Sequence, residues 1–337
     1  MKRNNGIVLI KLLAIIILIF ILISFIIYNL GSDIRQTIEI GYKTMTSQIN
    51  IEEEINKNEI LMGITDVKGK GIVIDILDGT DLIHQEDLII LLDELKNAGS
   101  QAISVNNVRI TNLTYLYCDG SVILIDGEKI GNPFQIKAIG DSQTIYGALN
   151  RNKGYISTLK NAGIEINMEE KDNIEIPKTK KSELVNYGNN KTQIGKLRVS
   201  NQMIGKENMQ GSGIEIQILE TKAKLTALSF LQIVNDLQSA GVQAISINGN
   251  RITSMTDMMD ISNTYVLINS IPIKGPYVIE AIGDKDKIEE VLSYKNSYIS
   301  KIIEKGNEVY IYRINKINID KYEQKRDKNK MSMEYII

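Results

Sequence analysis

A duplicated stretch constrains the fold of this chain more than any other feature. Residues 101–111 read Gln-Ala-Ile-Ser-Val-Asn-Asn-Val-Arg-Ile-Thr, and residues 243–253 read Gln-Ala-Ile-Ser-Ile-Asn-Gly-Asn-Arg-Ile-Thr. The distance from the start of the first copy to the start of the second is about the length of an ordinary domain. The spacing therefore predicts a single domain fold that occurs twice along the chain.

The segments around this stretch indicate the fold class. In both copies an apolar stripe at helical spacing precedes it and ends at a glycine, Gly99 or Gly241. Short apolar strands follow, and then a shared Pro-x-x-Ile-x-Ala-Ile-Gly-Asp segment at 133–141 and 276–284. This order of strands and helices predicts an α+β fold. We expect two tandem two-layer, ferredoxin-like domains, with a sheet on one side and helices on the other.

The amino-terminal segment predicts a transmembrane helix. Residues 12–28 are apolar apart from Ser24, and with residues 7–10 the run reaches the roughly 20 residues that span a bilayer. Positive charges at Lys2, Arg3 and Lys11 favour a cytoplasmic amino terminus and an extracytoplasmic location for the bulk of the chain. A cleaved signal peptide is the alternative, although residues 28–32 contain no A-x-A pattern. We expect a single-pass protein of the cell membrane.

The same patterns predict the domain boundaries. A helical stalk follows the anchor, and its apolar spacing fits either a coiled coil that forms a homo-oligomer or a lone solvated helix. A polar segment between the copies is interpreted as a linker, with binding to anionic lipid or wall polymer as the alternative. The predicted boundaries are 1–31 for the terminus and anchor, 32–62 for the stalk, 63–177 for the first domain, 178–210 for the linker, 211–320 for the second domain and 321–337 for a charged tail.

Composition argues against several functional classes. The formal charge of −2 and pI near 5.8 lack the basic character of a nucleic-acid-binding protein. Cys118 is the single cysteine, so an internal disulfide and a multi-cysteine metal site are excluded. His84 is the single histidine, and Thr226 occupies its position in the second copy, which favours a solvated loop residue over a catalytic base. We expect no catalytic residue, metal ligand or cofactor.

Three polar residue types recur in both copies of the duplicated stretch. An arginine can bind a carboxylate in a bidentate manner, so the set is a candidate site for a small ligand or glycan. The structural alternative is that asparagine forms a turn, threonine suits a strand and arginine pairs internally with Asp141 or Asp284. The candidate binding residues are Asn106, Arg109, Thr111, Asn248, Arg251 and Thr253.

Both shared motifs, Ala-Gly-x-Gln-Ala-Ile-Ser-x-Asn-x-x-Arg-Ile-Thr and Pro-x-x-Ile-x-Ala-Ile-Gly-Asp, carry a family resemblance. The chain resembles the bacterial family called domain of unknown function 881, of the YlxW and YlxX type. The family usually has Glu where Gln101 and Gln243 stand, and Asn-Gly where this chain has Asn106-Asn107. Its members commonly carry one such domain. The resemblance implies an anchored, outward-facing protein of Gram-positive bacteria, often encoded beside cell-division and envelope genes, and it supplies no catalytic residues.

From these observations we expect a non-enzymatic, membrane-anchored scaffold. Its partners would be other envelope, division or sporulation proteins, by analogy with the family. The alternative is an extracytoplasmic module that binds a small ligand or glycan through the repeated Asn-x-x-Arg-Ile-Thr motif. An enzyme acting on the cell wall is a third class, which no residue pattern singles out.

Overall fold

The structure, a computed structural model, describes residues 3–77, 83–120, 122–181, 192–219, 222–261 and 265–322. The chain divides into two compact units, residues 1–54 and 55–337. Helix α1 (Arg3–Met62) forms the first unit and ends within the second. It contains a segment long and apolar enough to cross a membrane, beginning at Ile17 among the described side chains. Lys2 and most of the predicted tail, 323–337, lie outside the described residues.

The second unit contains both repeats. The first repeat comprises β1 (Val67–Leu77), α2 (Gln85–Asn97), β2 (Ala102–Val105), β3 (Val108–Ile110), β4 (Leu116–Asp119), β5 (Val122–Ile125), β6 (Glu128–Ile130), β7 (Phe134–Ile139), α3 (Ser142–Leu149), α4 (Tyr155–Asn161) and β8 (Glu165–Ile176). The second repeat comprises α5 (Gln193–Met203), β9 (Met209–Leu219), α6 (Ala227–Ser239), β10 (Ala244–Ile247), β11 (Asn250–Ile252), β12 (Met258–Asp260), β13 (Val266–Ile268), β14 (Ile271–Ile273), β15 (Tyr277–Ile282), α7 (Lys285–Ser293), α8 (Tyr298–Glu304) and β16 (Glu308–Ile319).

The α+β prediction is confirmed, and the strand order identifies the arrangement. The first repeat has a five-stranded sheet in the order β3-β2-β7-β1-β8, and the second has β11-β10-β15-β9-β16. The paired neighbours are antiparallel. Without the short edge strand β3 or β11, each sheet has the order of a βαββαβ ferredoxin-like domain, in which the second strand joins the third by an antiparallel connection.

The helical layer of each repeat is held by the apolar stripe that the sequence predicts. In the first repeat, Leu88, Leu91 and Leu95 of α2 are fully buried in one core with alternate residues of β1. Burying one such side chain contributes roughly 1.5–3 kcal/mol to folding. The second repeat builds the same core from α6 and β9, with Phe230 packed edge-on against Tyr277. The helices α3 and α4, or α7 and α8, and the small sheet of each repeat add further apolar side chains to the same core.

Two features of each repeat differ from the secondary structure that the sequence indicates. Each repeat has an additional small three-stranded sheet, β4-β5-β6 or β12-β13-β14, between its hairpin and the next long strand. The closing strands β8 and β16 each run through 12 residues. The apolar pattern of the sequence predicts two shorter strands in each place, at 164–168 and 174–176 and at 309–314 and 317–319. Register shifts between Gly69 and Gly71, and between Ile314 and Ile317, let these strands continue past a local irregularity.

Helix α5 lies within the segment 178–210 that the sequence indicates as a linker. It occupies the place in the second repeat that the last turns of α1 occupy in the first. Gly63 and Gly205 are equivalent in the two copies, and they follow these helices with φ of 74° and 84°. Each repeat thus includes the helix that precedes its first strand. Residues 182–191 of the segment lie outside the described residues, and the predicted domain boundaries stay a prediction.

Candidate functional site

The duplicated stretch folds as the β2–β3 hairpin in the first repeat and the β10–β11 hairpin in the second. Asn106 forms the turn with a φ of 46°, and Asn248 does so with a φ of 47°. Asn106 Oδ1 accepts a hydrogen bond from Gln135 N at 2.7 Å, and its Nδ2 donates to the Gly131 carbonyl at 3.0 Å. Asn248 makes the same pair of contacts: it accepts from Val278 N in β15 and donates to the Lys274 carbonyl. These asparagines fasten the hairpin to the neighbouring strand.

Both candidate arginines are buried and bind the end of a helix. Arg109 is 2% exposed, and its Nη2 donates to the Ile60 carbonyl oxygen at 2.9 Å. Arg251 is 3% exposed and donates to the Gln202 carbonyl oxygen at 2.9 Å. The last carbonyls of a helix lack helical partners and carry its negative dipole end, so a cation is favourable there. The arginines therefore join the hairpin to α1 and α5.

The electrostatics of the two arginines differ. Burial lowers the pKa of each guanidinium to about 10, and for Arg109 the charge of Asp66 partly opposes this shift. Asn208 occupies the position of Asp66 in the second copy, so this position carries no charge in the second repeat. Among the described residues, Arg109 Nε and Nη1 and Arg251 Nη1 are buried without a hydrogen-bond partner. The second arginine has the less compensated charge.

The expected acidic partners of the arginines have another role. Asp141 Oδ1 accepts a hydrogen bond from Thr144 N at 2.9 Å and caps α3. Asp284 caps α7 in the same way. Aspartate at this position satisfies free amide groups of a helix's first turn. The internal role of the arginines therefore rests on helix carbonyls instead of these carboxylates.

The two candidate threonines stabilise the turn that follows each hairpin. Thr111 Oγ1 accepts a hydrogen bond from Leu113 N at 3.1 Å, and Thr111 N donates to Thr114 Oγ1 at 2.9 Å. Thr253 makes the corresponding contacts with Met255 and Thr256. All six candidate residues are thus engaged in holding the fold. Ligand binding by them stays a prediction.

A groove of about 680 Å³ runs beside the hairpin of the second repeat. Its walls include Arg251, Asn248, Lys274 and Lys321, with Asp320 as an acidic member. The groove is polar and carries more positive than negative side chains. Two candidate residues of the second repeat, Asn248 and Arg251, line it.

The remaining chemical candidates have local roles. His84 is exposed at the N-cap position of α2, where its backbone amide donates to Asp87 Oδ2 at 2.6 Å. Cys118 lies in β4, and its Sγ contacts the Gly120 carbonyl oxygen at 3.1 Å. In the part of the chain that the structure describes, no group of three or more His, Cys, Asp or Glu side chains is placed to hold a metal ion.

The two repeats meet through a surface that we call the repeat interface. It is formed by α2, α6, the end of α1, α5 and the residues that contact these helices across the repeats. Asn58 Nδ2 donates to Ser200 Oγ at 2.9 Å, and these residues are 142 positions apart. Asn235 of α6 binds the backbone of Leu116 in β4, while Asp93 of α2 accepts from Met258 N in β12. Equivalent residues thus contact each other reciprocally, as they do across the two-fold axis of a homodimer.

A second, larger groove has walls from both repeats. It measures about 1150 Å³ and includes Tyr115 and Lys181 of the first repeat. Lys287, Glu290 and Arg313 of the second repeat form its other side. The motifs and apolar stripes of the sequence indicate neither the repeat interface nor this groove. Asp93 and Asn235 are polar residues at equivalent positions beside the apolar stripes of α2 and α6. Because buried polar groups require partners, this pair is the signal that could have indicated the interface.

Comparison with known proteins identifies the family. A family model described as bacterial protein of unknown function (DUF881) matches residues 54–189 and 196–332, which together make up more than half of the chain. The chain belongs to this family. The resemblance stated from the two motifs is therefore confirmed, as is the presence of two copies. Both matches begin within the helices that precede β1 and β9, in agreement with the structural repeat.

The relatives in this family match over about the length of one repeat. UPF0749 protein YlxW of Bacillus subtilis is 26% identical over 144 residues, covering 40% of this chain and 62% of YlxW. UPF0749 protein Rv1825 of Mycobacterium tuberculosis and UPF0749 protein Mb1856 of Mycobacterium bovis are each 28% identical over 121 residues, covering 35% of this chain and 41% of the relative. The chain thus spans less than two thirds of these relatives.

A solved structure is also similar. The crystal structure of an uncharacterized conserved protein from Mycobacterium tuberculosis aligns with a TM-score of 0.35 and 18% identity, over 38% of this chain and 92% of that one.

Proposed function

We propose that this protein is a membrane-anchored, extracytoplasmic scaffold. Its two repeats together would form one binding surface for other envelope proteins. The observation that carries the proposal is the reciprocal packing of the two repeats within one compact unit. A reciprocal interface fixes the two domains in one arrangement and brings side chains of both to a shared groove. A surface of this kind depends on duplication of the domain.

The role of the repeated polar residues supports a scaffold over an enzyme. Asn106, Arg109 and Thr111 each bind backbone groups of their own repeat, and their counterparts do the same. Because these residues hold each repeat together, they account for the duplicated stretch without a catalytic role. We therefore propose that the protein is not an enzyme and that its partners are recognised through surface contacts.

The proposed location rests on α1. A helix that can cross a membrane, with the repeats following it, fits an anchor with a cytoplasmic amino terminus and the repeats outside. The stalk portion of α1 is an additional candidate for self-association, and it stays a proposal.

The shared groove provides the test. In cells that express the full chain, photo-cross-linkers placed at groove positions should trap envelope proteins. The double variant Lys287→Glu with Glu290→Lys, which keeps the net charge, should abolish those cross-links. Lys160→Glu, on the exposed surface of α4, is the control and should leave them unchanged. Cross-links that are equal in both variants, or absent from the unaltered chain, would refute the scaffold role of this groove.

A second candidate function is binding of an anionic ligand or glycan in the groove beside Arg251. The less compensated charge of Arg251, together with Lys274 and Lys321, favours an acidic group there. The variant Lys274→Gln with Lys321→Gln should weaken binding of acidic wall fragments and leave the melting temperature unchanged. Equal binding by this variant and the unaltered chain would exclude the groove as the binding site.

A further inference from the structure

Asn235 makes a two-point contact across the repeat interface. Its Oδ1 accepts a hydrogen bond from Leu116 N at 2.7 Å, and its Nδ2 donates to the Leu116 carbonyl oxygen at 2.8 Å. Both groups of one β4 residue are thus satisfied by one amide side chain. An amide suits this position because it supplies an acceptor and a donor at the same time.

The equivalent position in the first repeat is an aspartate. Asp93 and Asn235 occupy the same place in the two copies, and so do their contacts, Met258 and Leu116. Asp93 is 7% exposed, and its Oδ1 accepts a hydrogen bond from Met258 N at 3.1 Å. This reproduces the first half of the Asn235 contact. The second half requires a donor, which a carboxylate lacks and a carboxylic acid has.

We propose that Asp93 stabilises the contact between the two repeats in a proton-dependent manner. When protonated, its carboxyl group accepts from Met258 N and donates to the Met258 carbonyl, as Asn235 does with Leu116. When ionised, it keeps the amide hydrogen bond but has no proton to donate to the Met258 carbonyl oxygen. The repeat interface then holds less tightly on this side than on the Asn235 side.

The surroundings of Asp93 favour the protonated form. Burial raises the pKa of its carboxyl group to about 7, with small upward contributions from the charges of Asp257 and Glu94. Lys96 and the Met258 amide act in the opposite direction. Burial also lowers the pKa of Lys96, so this ammonium is a weakened counter-ion. The charge of Asp257 acts on Asp93 from the second repeat, and Lys96 and Glu94 lie on the same helix as Asp93.

The direction of the pH effect follows from this shift. In the unfolded chain an aspartate titrates near its ordinary pKa of about 4, whereas in the folded chain Asp93 titrates near 7. The folded state therefore binds one more proton between these values, and stability falls as the pH rises through that window. Above the folded pKa the loss is complete and no further change comes from this group.

The test compares melting of the full-length protein in detergent micelles at pH 5 and pH 8. Between pH 5 and pH 8, the melting temperature of the unaltered chain should fall by on the order of 5 °C more than that of Asp93→Asn. Asn235→Asp should roughly double the loss, because both sides then carry an ionisable group. Lys96→Gln introduces the residue type of the equivalent position, Gln238. It should extend the loss of stability to higher pH, because it removes a cation that favours the ionised form of Asp93.

A second measurement follows the carboxyl group itself. The ¹³C resonance of the Asp93 carboxyl, identified by its disappearance in Asp93→Asn, should titrate with a midpoint near pH 7. A midpoint near the ordinary value of about 4 would overturn the proposal. Parallel pH profiles of the unaltered chain and Asp93→Asn would overturn it as well, whatever the absolute melting temperatures.

Discussion

Arg109 Nη2 lies 2.9 Å from the carbonyl oxygen of Ile60, so a side chain of the duplicated hairpin binds the carboxyl-terminal end of α1. Arg251 repeats this contact with Gln202 of α5. A charged hydrogen bond in a buried place ties two elements that are distant in sequence. The arginine is present in both copies because each repeat must hold a helix against its hairpin.

Replacing this arginine should destabilise the fold. Arg109→Met removes the donor and leaves the Ile60 carbonyl with one partner fewer, and we expect the free energy of unfolding to fall by about 2–3 kcal/mol. Urea denaturation of the full chain in micelles measures the change. Arg151→Met is the matched control, since Arg151 is 54% exposed in an ion pair with Glu94 and should cost less than about 1 kcal/mol. Equal losses in the two variants would contradict the anchoring role.

The sequence contains enough information for the domain architecture but not for the role of this arginine. Spacing of apolar residues and the duplicated motifs predict the two α+β domains, since helical and strand periods are local properties. The partner of Arg109 is a backbone carbonyl 49 positions away. Any residue type offers such a carbonyl, so no pattern in the sequence marks it. The acidic residues Asp141 and Asp284, which the shared motif offers as partners, cap helices instead.

Gly71 and Gly213 should tolerate no side chain. A Cβ atom at Gly71 would lie 1.9 Å from the Ala138 carbonyl oxygen, and one at Gly213 would lie 1.8 Å from that of Ala281. Gly71→Ala must separate β1 from β7, and we expect a loss of about 3 kcal/mol in the free energy of unfolding. Gly147→Ala, in α3 with no atom within 4 Å of the added carbon, should instead gain about 0.5–1 kcal/mol. A tolerated Gly71→Ala would show that the strands are less closely paired.

The carboxyl group of Asp236 gives a second pH effect with a different window. Its Oδ2 accepts a hydrogen bond from Tyr298 N at 2.7 Å, and burial raises its pKa to about 6, against the lowering effects of that bond and of Lys301. Because the folded pKa is raised, stability is full below about pH 4 and falls as the pH rises to 6. Asp236→Asn should remove about 3 kcal/mol of this dependence of the unfolding free energy on pH.

Chemical denaturation at closely spaced pH values checks the expectation for Asp236. The difference between the unaltered chain and Asp236→Asn should be complete by about pH 6, whereas the difference for Asp93→Asn should continue to about pH 7. The two variants thus serve as controls for each other. Coincident windows would contradict the assignment of separate environments to the two carboxyl groups.

The repeat interface illustrates why the rest of the structure was not predictable. Asp93 and Asn235 each lie on a helix whose apolar stripe points to its own core, and they serve the other repeat. Hydrophobic periodicity identifies which face of a helix is buried but not which domain covers a polar residue beside that face. The reciprocal positions become evident once the two copies are placed together in space.

Membrane attachment through α1 is tested by a charge in its apolar segment. Ile21→Arg places a cation among exposed apolar side chains, where insertion into a bilayer costs about 2.5–3.5 kcal/mol more. The unaltered chain should remain with membranes after an alkaline wash, and a part of Ile21→Arg should be released. Protease added outside intact cells should degrade the repeats, whereas a cytoplasmic marker should persist. Repeats that are protected would contradict the extracytoplasmic location.

The same preparation distinguishes an anchor from a cleaved signal peptide. Both bring the repeats outside, but only an uncleaved anchor leaves residues 1–31 on the protein that is recovered from membranes. Intact mass of the purified chain measures this directly. We expect the full mass, because residues 28–32 provide no small-residue cleavage pattern after the apolar run. A mature chain that begins near residue 32 would instead require another explanation for membrane attachment.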